Sequence, residues 1–190
     1  MEKRIIYFER KSKTSTKRTL EAARKRAEEL KIQDVVIATT HGGTALNAVE
    51  VFNSTKVNLI AVTICEAFKK EGWVMSAMER KKLEENGIKV LTSTHSLGDN
   101  VATAFNKKFG GISIEEVVRE TLYRFSQGMK VCVEIVLMAT DAGLIPTDRE
   151  VIAIGGTSSG ADTAIVVKPS YSMKFREFEI REIITKPREP

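Results

Sequence analysis

Apolar residues recur along this chain with two different spacings, and the alternation between them defines its elements. Leu20, Ala23, Ala27 and Leu30 repeat at helical spacing as far as Lys31, with Ser15 or Thr16 placed to cap the helix. Val35-Val36-Ile37-Ala38 follows as a short β-branched run between Asp34 and Thr39, the pattern of a strand buried on both faces. Ala45, Leu46, Val49 and Phe52 return to helical spacing, and residues 57–63 form a second strand. Residues 64–75 look irregular. A helix from about Ser76 to Asn86 is closed by Gly87 and leads into a third strand, Ile88 to Leu91.

The second half is less even. Residues 92–112 show no sustained period and read as a long loop. Ser113-x-x-Glu116 is a capping box that opens a helix carrying Val117, Val118, Leu122 and Phe125, and Gln127-Gly128 breaks it. Lys130 to Ala142 is apolar nearly all round, so its period does not separate strand from buried helix. Its length, with Gly143 and Pro146 behind it, favours the helix. Glu150 to Ile154 and Ala164 to Lys168 are strands around a small-residue loop. Residues 1–16 are left as an N-terminal arm and 169–190 as a tail with one more candidate strand at Glu177 to Ile184. Alternating strands and helices predict a single α/β domain, a three-layer α/β/α sandwich on a mainly parallel sheet. The last two clear strands share only a short loop, so the final one should run antiparallel.

Composition narrows the class. A chain of 190 residues can bury a full core. Cys65 and Cys132 each sit in an apolar run without a Cys-x-x-Cys partner, which reads as two reduced core thiols rather than a zinc or redox site. The charged start is no signal peptide, and the longest apolar run is broken by Glu134 and Asp141. The expectation is a soluble, cytoplasmic protein with no membrane partner. The net charge of +5 is concentrated in residues 1–31, which hold eleven Lys/Arg against five Asp/Glu. These charges lack interleaved aromatics and any nucleic-acid motif, so a solvated helix face is the expectation and no nucleic acid is expected as a partner. Self-association stays open.

Three loops at strand ends can carry chemistry. Thr39-Thr40-His41-Gly42-Gly43-Thr44 joins a strand to a helix, where amide hydrogens point outward and the helix dipole favours an anion. The two glycines allow close approach, the threonines can donate, and His41 adds a further donor. A Walker lysine is missing, so nucleoside triphosphate hydrolysis is not supported. The second loop, Gly155-Gly156-Thr157-Ser158-Ser159-Gly160-Ala161-Asp162-Thr163, repeats the glycine-and-hydroxyl composition; it reads either as a hairpin turn or as part of the same crevice. The third, around His95, follows the third strand. Phe8, Phe68, Trp73 and Phe109 lie in or beside predicted loops, as core residues or as walls for a flat ring. His41 and His95 lack a suitably spaced carboxylate, so no metal site is expected.

The run from Asp34 to Ala45, followed by Asn58 to Thr63, resembles the C-terminal domain of pyruvate kinase. The late Gly-Gly-Thr…Asp-Thr-Ala-Ile-Val-Val stretch, 155–167, is similar to that domain's closing loop and strand. Gln127 to Ile135 and Ala139 to Pro146 are similar to a small archaeal family of stand-alone proteins of this fold. The resemblance implies a mixed five-stranded sheet of order 3-2-1-4-5, counting predicted strands along the chain, with the last antiparallel. It also implies flavin mononucleotide (FMN) as cofactor. The phosphate would lie on Thr39, Thr40, His41, Gly42, Gly43 and Thr44. Gly155, Gly156, Thr157, Gly160, Asp162 and Thr163 would face the ribityl chain, and Phe8, Cys65, Phe68 and His95 the ring. The barrel that gives pyruvate kinase its metal, ADP and phosphoenolpyruvate sites has no counterpart here, so pyruvate kinase activity is not expected. A flavin-dependent oxidoreductase and a non-catalytic module that binds a sugar phosphate both remain open.

Overall fold

The computed structural model describes residues 2–9 and 15–189. Of the expected N-terminal arm, residues 1 and 10–14 lie outside the described residues. Seven strands form one sheet: β1 (Ile6–Phe8), β2 (Asp34–Ala38), β3 (Asn58–Thr63), β4 (Lys89–Thr92), β5 (Val151–Gly155), β6 (Thr163–Lys168) and β7 (Glu179–Pro187). Six α-helices accompany them: α1 (Ser15–Leu30), α2 (Gly43–Phe52), α3 (Ala77–Glu85), α4 (Val101–Phe109), α5 (Ile114–Tyr123) and α6 (Gln127–Asp141). The strand order is β1-β7-β6-β5-β2-β3-β4. The five-stranded sheet is therefore corrected to seven strands, the additional pair lying beyond β6. β7 overlaps the candidate strand at Glu177 to Ile184, whereas β1 carries no local signal: it has three residues and pairs with β7, about 180 residues later in the chain. Strand β6 is antiparallel to both β5 and β7, while β1, β2, β3, β4, β5 and β7 share one direction.

Side chains alternate across the sheet and build two cores. Val35, Ile37, Ala61, Ile152 and Ile154 face Leu20, Ala23 and Ala27 of α1, Ala45, Ala48 and Phe52 of α2, and Leu83 of α3. Val36, Ile60, Val62, Ala153 and Ile165 face Met129, Val133, Val136 and Leu137 of α6, with Leu122 of α5 behind. These are the three layers. α6 settles the ambiguous apolar stretch as a helix, because a helix buried between sheet and α5 needs apolar residues on most sides. Gln127-Gly128 does not break a helix but opens α6, capped by Ser126 Oγ, which accepts from the Met129 amide at 2.9 Å. Part of the expected long loop is helical: Asn100 caps α4 through the Thr103 amide. Ser15 and Thr16 are buried in the first turn of α1 rather than capping it from outside.

The chain steps from β2 to β3 to β4 with its helices on one face. It then returns through α6 on the other face to β5, on the opposite side of β2. The direction of winding reverses between β2 and β5, the position where open α/β sheets form a crevice at their strand ends.

Candidate functional site

The loop after β2 is built to leave donors free. Thr39 is buried, and its amide donates to the Val62 carbonyl at 3.0 Å, the last tie to the sheet. Gly42 then takes φ +85°, a left-handed conformation that suits glycine, and packs against Leu83 of α3. This turn starts α2 with no side-chain cap. The first bond from this helix end is Leu46 N–H to the Gly42 carbonyl at 2.9 Å. Among the described residues, nothing accepts from the amides of Thr40, His41, Gly42, Gly43, Thr44 or Ala45. Gly43 is exposed, and space is open where its Cβ would stand. Free amides, the positive end of a helix and an open approach are the features with which a helix N-terminus can receive an anion.

Three neighbouring loops are tied together at this edge. His41 Nε2 donates to the Gly72 carbonyl at 3.0 Å, while Nδ1 lies 3.3 Å from Glu79 at the start of α3. Glu79 closes a capping box with Ser76, and the bonds from the Ser76 amide and hydroxyl, then His41, hold its carboxyl below the usual carboxylate range. Next to Gly72, the Trp73 ring stacks on Phe68 with centroids 5.7 Å apart. Phe68 in turn lies 5.9 Å from the His95 ring. His95 Nδ1 is 2.8 Å from Asp99 Oδ2. A continuous line of rings and polar contacts therefore runs from the β2 loop past the β3 loop to the β4 loop. Cys65 sits half-buried at the start of that middle segment. Sequence reasoning missed Glu79 and Asp99 as the partners of these histidines; the Ser76-x-x-Glu79 spacing was the available signal for the first.

The loop after β5 has the opposite character. Asp162 is buried, and its carboxylate accepts from the Thr157 amide at 3.0 Å and from the Thr163 hydroxyl at 2.7 Å. Thr163 also contacts Ser126 Oγ at the start of α6. The Ala161 amide donates to Thr16 Oγ1 of α1 at 2.9 Å. Gly155 packs close to α6, where a Cβ would meet the Gly128 carbonyl at 3.0 Å, and a Cβ on Gly156 would run into the Gly160 backbone. Asp162 and Thr163 thus hold the loop shut, and Gly155, Gly156 and Gly160 serve its closure. Thr157 Oγ1 is buried with no partner among the described residues. Burial, reinforced by the Asp162 charge, pushes the neighbouring Cys132 thiol well up, which makes it an inert core group.

Phe8 stands apart. It is buried in the edge strand β1 under the Arg18 guanidinium, with β7, β6 and β5 between it and β2. At ordinary strand spacing that is roughly 19 Å, too far to share a wall with Phe68 and His95. Among the described residues no three His, Cys, Asp or Glu side chains gather as metal ligands, and no helix is long and apolar enough to cross a membrane. A shallow depression of about 270 Å³, lined by residues such as Lys31, Gln33 and Val57, lies at the opposite edge of the sheet, away from these loops.

The strand order defines a doubly wound α/β domain, a class in which ligands generally bind at the carboxyl ends of the strands. Within that class the chain belongs to the pyruvate kinase α/β domain family, whose model matches residues 17–167. A crystal structure of a pyruvate kinase from Cryptosporidium parvum is similar at 13% identity and a TM-score of 0.43, over 82% of this chain and 23% of that one. The chain therefore spans about a quarter of that enzyme's length.

Proposed function

We propose that this chain binds a phosphorylated ligand on the amides of the 39–44 loop, and that the ligand is FMN. The observation that carries the reading is the run of amides from Thr40 to Ala45 without an acceptor among the described residues, beside the open Gly43 at the N-terminus of α2. A phosphate dianion supplies the acceptors and charge that this end requires. The hydroxyls of Thr40 and Thr44 stand at the same turn as further donors, while the His41 ring is held between the Gly72 carbonyl and Glu79.

The rest of the edge fits the rest of the molecule in part. Phe68, Trp73 and His95 offer a set of rings on the β3 and β4 side, with Cys65 beside them. Thr157 Oγ1, on the β5 side, is a buried hydroxyl with no partner among the described residues. Phe8 falls outside this arrangement and is dropped from it. When bound, the flavin would supply electron or hydride transfer. This chain's own residues would bind its phosphate and orient its ring.

The test is a titration of the purified chain with FMN, followed by flavin fluorescence and by thermal stability. Saturable binding and a rise in Tm with ligand concentration are expected. A sugar phosphate that stabilises the protein where FMN does not would transfer the site to a non-catalytic sensing role. No response to FMN, sugar phosphate or inorganic phosphate would remove the site.

A further inference from the structure

The α4 helix is hard to account for in an isolated chain. It has nine residues, of which only Thr103 is buried, and that threonine's hydroxyl has no partner among the described residues. Helices this short owe their stability to packing of an apolar face. Here the face exists but is turned to solvent. Val101, Phe105 and Phe109 recur every four residues, with exposures of 74%, 60% and 68%. The Phe105 and Phe109 rings stack at 6.0 Å. Ile112, Ile114 and Val117 continue the apolar surface across the turn onto α5, exposed at 76%, 81% and 56%. The junction is held in shape: Glu116 Oε2 accepts from Asn106 at 2.7 Å and from the Ser113 amide at 3.1 Å.

We infer that this α4–α5 face is the contact between two copies of the chain. The six side chains expose roughly 700 Å² of mostly apolar surface, close to the ~800 Å² that each partner buries in a standard stable complex and more than a monomer usually leaves in one patch. The charges around it favour a second copy over another occupant. Lys107 and Lys108 stand in the last turn of α4, and Glu115 in the first turn of α5. A twofold axis running between these two helix ends sets the lysines of one copy against the glutamate of the other, twice over. The helix pair follows β4, so the contact lies beside the ligand edge of the sheet, on the side of His95. This inference does not depend on the identity of the ligand.

Sedimentation velocity of the full chain at tens of micromolar tests it. The expected mass is twice 21.1 kDa. Phe105→Asp replaces an exposed side chain and should leave the circular dichroism unchanged while weakening association about 100-fold, as loss of a central aromatic anchor does. Lys108→Glu and Glu115→Lys should each weaken the dimer, and the double variant should recover it. A wild-type chain that stays at 21.1 kDa overturns the inference, and so does a dimer indifferent to Phe105→Asp. A monomer that binds anionic phospholipid vesicles through this face would also overturn it, in favour of a membrane surface.

Discussion

The loops after β2 and β5 are built from the same few residue types and sit on adjacent strands, yet they spend their polar groups in opposite ways. In 155–163 the protein itself supplies acceptors: Asp162 takes the Thr157 amide and the Thr163 hydroxyl, and Thr16 of α1 takes the Ala161 amide. In 39–44 no carboxylate turns inward, and the amides from Thr40 to Ala45 are left facing the edge. The difference is one buried aspartate and its neighbours, not glycine content. A glycine-and-threonine loop marks a place where backbone comes close to something. Whether that something is protein or ligand depends on where the nearest acceptor lies.

The comparison can be broken most forcefully at Asp162. Asp162→Ala removes the acceptor of one buried and one part-buried donor and should cost about 3 kcal/mol, seen as a Tm roughly 6 to 12 °C lower in calorimetry. A variant as stable as the parent would mean that the β5 loop is not held by this carboxylate. Gly43→Asp probes the other loop. Its Cβ meets nothing within 4 Å, so stability should stay within about 0.5 kcal/mol. Phosphate-ligand affinity should fall at least about 100-fold, or roughly 2.7 kcal/mol; unaltered affinity would place the anion elsewhere. Gly128→Ala pushes a methyl against Thr163 and within 2.8 Å of Asp162 Oδ1. Chemical denaturation should show a loss of about 2 kcal/mol, with ligand affinity little changed.

The smallest effect concerns Glu79. Its folded-state pKa lies below the ordinary value of 4.5, so its contribution is present above that pH and is lost as pH falls through the folded-state value. Its side chain is 37% exposed, which limits the contribution to about 0.5 kcal/mol. Stability curves of the parent and Glu79→Gln should therefore differ near neutral pH and converge in acid. A gap that widens on acidification would assign Glu79 a different role.

Local signals were legible wherever the physics is local. The Ser113–Glu116 capping box and the turn glycines Gly87 and Gly143, with φ +76° and +69°, are where the pattern put them. The strand-to-helix loop at 39–44 was visible too, because a β-branched run followed by threonines and glycines has few other forms. The α4 helix was hidden for an opposite reason. Its four-residue repeat is real, but a stripe that meets no core does not stand out from a loop.

The chain by itself determined the alternation of strand and helix, the two-sided core and the positions of the strand-end loops, since each follows from short-range periodicity and turn chemistry. Only the tertiary structure decided that β1 and β7 extend the sheet to seven strands, that Phe8 lies far from Phe68 and His95, and that Asp162 turns inward while the amides beside Gly43 do not. Those outcomes depend on contacts between residues distant in sequence, and no local pattern encodes which acceptor a donor will meet once the chain has closed.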